Sequence, residues 1–366
     1  MNKQKGKKAL IKRGVVIFAL VVAILLLNFF ADHPRAVEKY YSEGLYPVIC
    51  HVLHLVFNLF PFSFGDVLYL AVIGYLIYAL IRLVALCLKK RFMQAGLLTT
   101  GVGIGVLAGI FVFYLFWGLN YFRPSAGERL NLRDSTYTKA ELQKVTTILI
   151  DSANASRARV TPTDLQRGND SIYKIAVKAI VKLSGTSAEF GTYRPAVKPS
   201  LLTPLLNYIG TSGYYNPFTG EAQMNYQMPV FNRPFVACHE MSHQMGYGAE
   251  DEANFVGFLA ASRSDDKLLR YSAYNIAVNE FMHTMRYTDT VVFKQLKTRI
   301  SPVVLADFKE ERLYWLSYQN KLNTFTSIFY DNFLKVNNQP QGLDTYNRMV
   351  LLIMAMYRKQ WVESGE

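Results

Sequence analysis

Three long apolar runs in the first third of the chain constrain its fold more than any other feature. Residues 14–30 carry no charge, residues 66–88 hold only Arg82 after the opening Asp66, and residues 97–119 carry none. Each is near or above the roughly 17–25 residues that span a bilayer as a helix. The flanking charges orient them. Lys3, Lys5, Lys7, Lys8, Lys12 and Arg13 precede the first run without an acid, and Lys89, Lys90 and Arg91 close the second. The positive-inside rule then puts the N-terminus and the 89–91 loop in the cytoplasm. Residues 31–65 and everything after Arg123 lie outside. The first run lacks an AxA-like cleavage site before Asp32, so it reads as an uncleaved anchor and not a signal peptide.

The formal charge of +13 sits partly in these basic segments. Membrane topology explains it better than nucleic acid, for which the chain carries no binding signature. Three cysteines, at 50, 87 and 238, are too few for a disulfide scaffold and match no zinc ribbon. Residues 45–60 are apolar but short, and end in Pro61-Phe62-Ser63-Phe64-Gly65, so they predict a helix lying in the outer interface. His51 and His54 within it read as surface histidines of an amphipathic helix. Gly101, Gly103, Gly105 and Gly109 lie inside an uncharged run and read as helix-packing positions, not a nucleotide loop.

The membrane domain therefore covers residues 1–123 and an outer domain residues 124–366. Beyond Pro124 charges intersperse and apolar runs shorten to helix-face length. Thr138 and Glu141 form a capping-box pattern ahead of a helix to about residue 157. Further helices are predicted at 170–184, 233–246, 250–262, 268–287, 302–333 with a possible break, and 343–361. Residues 214–220 read as a turn between two short strands, the second at 221–228. The fold class is thus an anchor of three transmembrane helices plus a mainly helical α+β outer domain with a small sheet.

His239-Glu240-Met241-Ser242-His243 is an HExxH motif, and composition alone predicts only about 0.004 copies in such a chain. On a helix the two imidazoles share one face and can hold one Zn²⁺. Glu240 is then near enough to take a proton from a water that the metal has acidified toward pKa about 7. Mn²⁺ or Fe²⁺ suits the same donors less specifically. Gly246 and Gly248 can end the helix, and a second helix from residue 250 brings back a carboxylate. Glu250 is the preferred third ligand, because Ala253, Asn254, Gly257 and Ala261 on its face allow close helix packing. Glu252 is the alternative, though it shares a side with Phe255, Val256 and Leu259. Asn254 or Asp251 could orient a ligand histidine. Cys238 reads as a small buried residue.

HExxH followed by Glu250 and Asn254 resembles the gluzincin metallopeptidases, whose second helix supplies a Glu in a Glu-x-x-x-Asp/Asn pattern. The resemblance implies a zincin-like outer domain, a Zn²⁺ cofactor and a peptide or protein substrate. It implies an edge strand upstream of the motif, for which residues 221–228 are in place. It also implies a downstream histidine that stabilises the oxyanion, for which His283 is the candidate, on a predicted polar face with Asn279 and Tyr287. Tyr214 and Tyr215 are secondary oxyanion candidates. The gap from His243 to Glu250 is short for most gluzincins. Over nearly its full length the chain also resembles an uncharacterised family of bacterial membrane proteins with three N-terminal spans and a C-terminal HExxH domain. Pro61-Phe62-Ser63, the HExxH segment, Glu250 to Asn254 and Phe333-Leu334-Lys335 carry that likeness. It implies a multi-pass protein of the bacterial inner membrane with its catalytic domain outside. The leading function is a membrane-anchored zinc metallopeptidase. A zinc-binding sensor or interaction protein without turnover, and a cell-wall amidase, are the alternatives. The sequence leaves the oligomeric state open.

Overall fold

The computed structural model describes residues 3–132, 136–342 and 348–364. Helix α1 (Lys3–Ala31) leads through a short helical segment to α2 (Tyr46–Phe57), and then to α3 (Phe64–Leu88) and α4 (Phe92–Phe116). α1, α3 and α4 are long and apolar enough to cross a membrane, and little of their apolar surface is buried within the chain. α4 ends three residues before the predicted 119. The backbone breaks at Trp117, and Gly118–Phe122 form a 3₁₀ turn. A Cβ on Gly118 would lie 2.6 Å from the Phe113 ring, so any larger residue would have to displace that ring. Trp117, Leu119, Asn120 and Tyr121 are thereby buried instead of continuing a span.

The part beyond residue 123 is mainly helical. α5 (Lys139–Arg157) starts at the predicted capping box, with Thr138 Oγ1 accepting from Glu141 N at 3.2 Å and Thr138 N donating to Glu141 Oε2 at 2.7 Å. It is followed by α6 (Asn169–Ser184), strand β1 (Val197–Pro199), α7 (Thr203–Ile209), β2 (Gly213–Asn216) and β3 (Glu221–Met224). Then come α8 (Arg233–Gln244), α9 (Glu250–Ser262), α10 (Lys267–Thr288), α11 (Thr290–Arg299), α12 (Pro302–Ser317), α13 (Lys321–Val336) and α14 (Met349–Ser364). The long helix predicted over 302–333 is two helices. The chain breaks at Asn320, whose side chain accepts from the Leu322 and Asn323 amides and caps α13. Residues 343–347 of the last predicted helix lie outside the described residues.

The sheet order is β1-β3-β2, with β1 parallel and β2 antiparallel to β3. The predicted hairpin is present, but residues 221–224 form the central strand. The expectation of an edge strand there is corrected, and the edges are β1 and β2. A three-residue strand in a Pro-rich stretch is too short to show alternation, so β1 left no sequence signal.

The main core joins α5, α6, α8, α9, α10 and α14 around side chains such as Leu149, Ile180, Phe255 and Phe281. A second, largely aromatic cluster forms where residues 37–50 and 117–121 meet the sheet, through Tyr41, Tyr46, Trp117, Tyr121 and Tyr215. Polar ties reinforce it. Ser63 caps α3 and accepts from Gln223 Nε2, and Gly65 N donates to Glu221 Oε2 at 2.6 Å. Lys198 Nζ lies 2.6 Å from both Glu221 Oε1 and the Phe57 carbonyl. Pro61-Phe62-Ser63 is thus the joint by which α3 plugs into the sheet. α2 shows the predicted two-faced character, with Val48, Val52 and Leu55 exposed. His51 is exposed, but His54 is not a surface histidine. It is buried against the part beyond residue 123, bonded to the Tyr193 carbonyl and within 2.9 Å of the Gly220 carbonyl. Those acceptors lie more than 130 residues away, so local pattern could not show them.

Candidate metal centre

α8 carries the HExxH residues, all of them buried. Its end is set by Gly246, whose φ of +83° favours glycine. A Cβ there would also crowd Arg123, Asn120 and Tyr46. α9 then packs back on α8. A Cβ on Gly257 would lie 3.1 Å from His239 N and 3.2 Å from His239 Cα, so the small-residue face read from the sequence does bring the two backbones together.

Within this pair, one atom each of His239, Glu240 and His243 lie within 4.8 Å of one another. Glu250 Oε2, from the first turn of α9, is 3.2 Å from His239 Nε2 and 3.6 Å from His243 Nε2. It makes no hydrogen bond among the described residues, though it is buried. Two ligands of a tetrahedral zinc, each about 2.0–2.1 Å from the ion, stand about 3.3–3.4 Å apart. The two separations from Glu250 Oε2 bracket that spacing. Two imidazoles and a carboxylate are a donor set that could hold a divalent metal ion.

The surroundings fix the ligands. His243 Nδ1 lies 2.7 Å from the Tyr247 carbonyl, which it can serve only as donor, leaving the Nε2 lone pair for a metal. The carbonyl of Tyr247 thus does for His243 what Asn254 or Asp251 was expected to do. His239 Nδ1 is buried without a hydrogen-bond partner among the described residues. Tyr330 of α13 donates to Glu250 Oε1 at 2.6 Å, and Gln339 Oε1 accepts from Glu250 N at 3.2 Å. Trp117 Nε1 donates to the His243 carbonyl at 3.0 Å, and Tyr46 Oη to the Gln244 carbonyl at 2.8 Å. Arg123 donates to the Gly246 carbonyl at 3.0 Å while paired with Glu38 at 2.6 Å. Segments on the N-terminal side of residue 123 therefore belong to the site's scaffold. They supply donors to the last carbonyls of α8, which a helix cannot satisfy itself.

Electrostatics follow from burial and proximity. Burial pulls the His243 imidazole down, but Glu250 beside it more than offsets this and holds it up at about 9. Burial pushes Glu250 up, yet the two imidazoles hold it well below the usual carboxylate range. The carboxylate is thus arranged for a positive neighbour. Burial pushes Glu240 up to about 7, partly offset by His239 and His243. Glu240 lies against β2, where a Cβ on Gly213 would come within 2.7 Å of its Oε1.

The other predicted residues separate from this centre. Glu252 accepts from Ala126 N at 2.6 Å and faces Arg129 at 3.6 Å, so it is committed elsewhere. His283 is exposed on α10 with its ring against Tyr287 at 5.1 Å, and Asn279 is likewise exposed. The contacts of His283 do not include the cluster. Tyr214 donates to Asp66, and Tyr215 packs on Trp117 at 5.0 Å, so both serve the joint with the juxtamembrane segments. Cys238 is buried, and burial pushes its thiol above the ordinary range. Sequence reasoning missed Tyr330, Trp117, Tyr46, Tyr247 and Gly213. Only Tyr330 had a local signal, because Asn323, Thr326, Tyr330 and Asn337 form a polar stripe opposite an apolar one on α13.

The class defined so far is a three-helix, candidate membrane-spanning protein carrying a His-Glu-His cluster that could hold a metal. Residues 41–354 match the family described as a protein of unknown function (DUF3810), and the chain belongs to that family. No curated protein matches the chain, and no solved structure does.

Proposed function

We propose that the protein is a membrane-anchored zinc metallopeptidase with a zincin-like outer domain, its N-terminus in the cytoplasm and its site outside. The observation that carries this reading is the convergence of Glu250 Oε2 on both Nε2 atoms at 3.2 and 3.6 Å without hydrogen-bond geometry. His239, His243 and Glu250 would hold the ion. When bound, zinc supplies Lewis acidity to a peptide carbonyl and lowers the pKa of water. Glu240 takes the proton of the attacking water and delivers it to the leaving amine. Its buried setting, which favours a shared proton near neutrality, supports that role. Tyr330 holds Glu250 in place through Oε1, leaving Oε2 for the metal. His283 is not part of this reading, since it lies away from the cluster on an exposed helix face.

The test is the zinc content of the purified full-length chain, measured with hydrolysis of a quenched-fluorescence peptide library. One zinc per chain in wild type and Glu240→Gln, loss of zinc in His239→Ala, and loss of turnover in Glu240→Gln are expected. A folded wild type without metal would overturn the reading. Zinc without turnover would favour a sensor that keeps the metal fold.

A further inference from the structure

α13 is built inside out. Asn323, Thr326, Tyr330 and Asn337 face the protein, where Tyr330 reaches Glu250 and Thr326 bonds the Ile209 carbonyl. Leu322, Phe325, Ile328, Phe329 and Val336 face away, with Phe325, Phe329 and Val336 exposed by 68, 67 and 72%. Single exposed apolar residues are ordinary, but a stripe over four turns of a helix, interrupted by Asn332, is not. α7 extends the stripe with Leu201, Leu205 and Tyr208, and Asn320 ties the two helices by donating to the Tyr208 carbonyl at 3.0 Å.

Both ends of this face join the candidate spans. At one end, Leu201 N donates to Asp66 in the first turn of α3 at 2.7 Å. At the other, the Phe333 ring packs on Phe113 in the last turn of α4 at 6.0 Å. The start of α3 and the end of α4 are on the same side, because a short turn at residues 89–91 joins their opposite ends. The apolar stripe is therefore continuous with the apolar walls of α3 and α4. Lys321 stands at the head of the stripe, while Lys335, just before its last member Val336, pairs with Asp331 at 2.7 Å.

We propose that the outer face of α13, with α7, is seated in the lipid bilayer surface, so that the metal centre lies directly behind a lipid-immersed helix. Tyr330 then links the membrane surface to a metal ligand across the thickness of one helix. The seating rests on packing and exposure and stands whether or not the centre turns over.

The test uses the full chain at one copy per lipid nanodisc, with exposed Cys87 replaced by Ser. A single environment-sensitive fluorophore is placed by Phe329→Cys or Val336→Cys. Asp265→Cys is the aqueous control, its native side chain being charged and 90% exposed. Strong quenching at 329 and 336 by nitroxide lipids labelled near the headgroup, with weak quenching by iodide, is expected, and the reverse at 265. Iodide quenching at 329 equal to that at 265 would overturn the proposal. So would shielding from both quenchers, which would mean that protein covers the stripe. Shielding that appears only in discs holding two chains would assign the face to a second copy and overturn it as well. Thermal melting of each unlabelled variant separates these outcomes from misfolding, and zinc content separates them from failure of the peptidase reading.

Discussion

Gly257→Ala tests whether the close approach of α9 to α8 sets the ligand geometry. The new Cβ would stand 3.1 Å from His239 N and 3.2 Å from His239 Cα. Ordinary contacts between such atoms are about 3.5–4.0 Å. The obstacle is backbone, so it cannot rotate aside, and α9 must withdraw by about half an ångström. Glu250 rides on the same helix two turns away. Its Oε2, now 3.2 and 3.6 Å from the two imidazoles and so bracketing the tetrahedral edge of about 3.3–3.4 Å, would move outward from both. Displacements of that size in supporting groups cost about 10–100-fold in metal affinity. Stability changes little. Overpacking costs about 1–3 kcal/mol, and replacing a mid-helix glycine returns about 1 kcal/mol. Competition of the full-length protein with a zinc chelator reads the affinity, and thermal melting reads the fold. Gly74→Ala in α3, where a Cβ meets nothing within 4 Å, is the control. A folded Gly257→Ala protein with wild-type zinc affinity would refute the reasoning.

Glu252→Gln removes the charge facing Arg129 and weakens the bond to Ala126 N, so it should cost about 1–3 kcal/mol of stability in denaturant titration while leaving zinc content unchanged. Gly213→Ala would press on Glu240 Oε1 at 2.7 Å and on the Gln223 carbonyl at 2.8 Å. It should lower peptide turnover by about 100-fold with zinc retained, as misplaced catalytic groups do; unchanged kcat would remove Glu240 from the base role. Burial pushes both Glu280 and Glu311 up to about 7, with Glu311 also raising Glu280. The folded state thus holds extra protons above pH 4.5, so their stabilisation is complete below that pH and is lost as pH rises through 7. Glu311→Gln should flatten the fall in melting temperature between pH 5 and 8, and an unchanged slope would contradict the assignment.

The sequence made legible what depends on local period and spacing. Three apolar runs became three long helices, the capping box at Thr138 opened α5, and HExxH with its small-residue partner helix became the α8–α9 pair. The sequence preferred Glu250 to Glu252 from the side of α9 that carries Ala253 and Gly257; in the structure Glu250 lies beside both imidazoles and Glu252 beside Arg129 and Ala126. What stayed hidden is long-range. Trp117 and Tyr46 reach α8 carbonyls from positions 126 and 198 residues away, and no helical period encodes such a contact. His54 and Ser63 were misread or left unread for the same reason, since an amphipathic stretch near a membrane has two faces and the sequence shows only that they differ. His283 had the right spacing on its helix but lies on an exposed face, because α10 buries Tyr271, Val278 and Phe281 instead.

X-ray absorption at the zinc edge of the metal-loaded, full-length protein tests the central claim most directly. The account predicts a four-coordinate shell of nitrogen and oxygen at about 2.0–2.1 Å, with the multiple scattering of two imidazoles and no sulfur. The oxygen shell should change in Glu250→Gln but not in Glu252→Gln. A sulfur shell at about 2.3 Å, or a spectrum indifferent to Glu250, would contradict it.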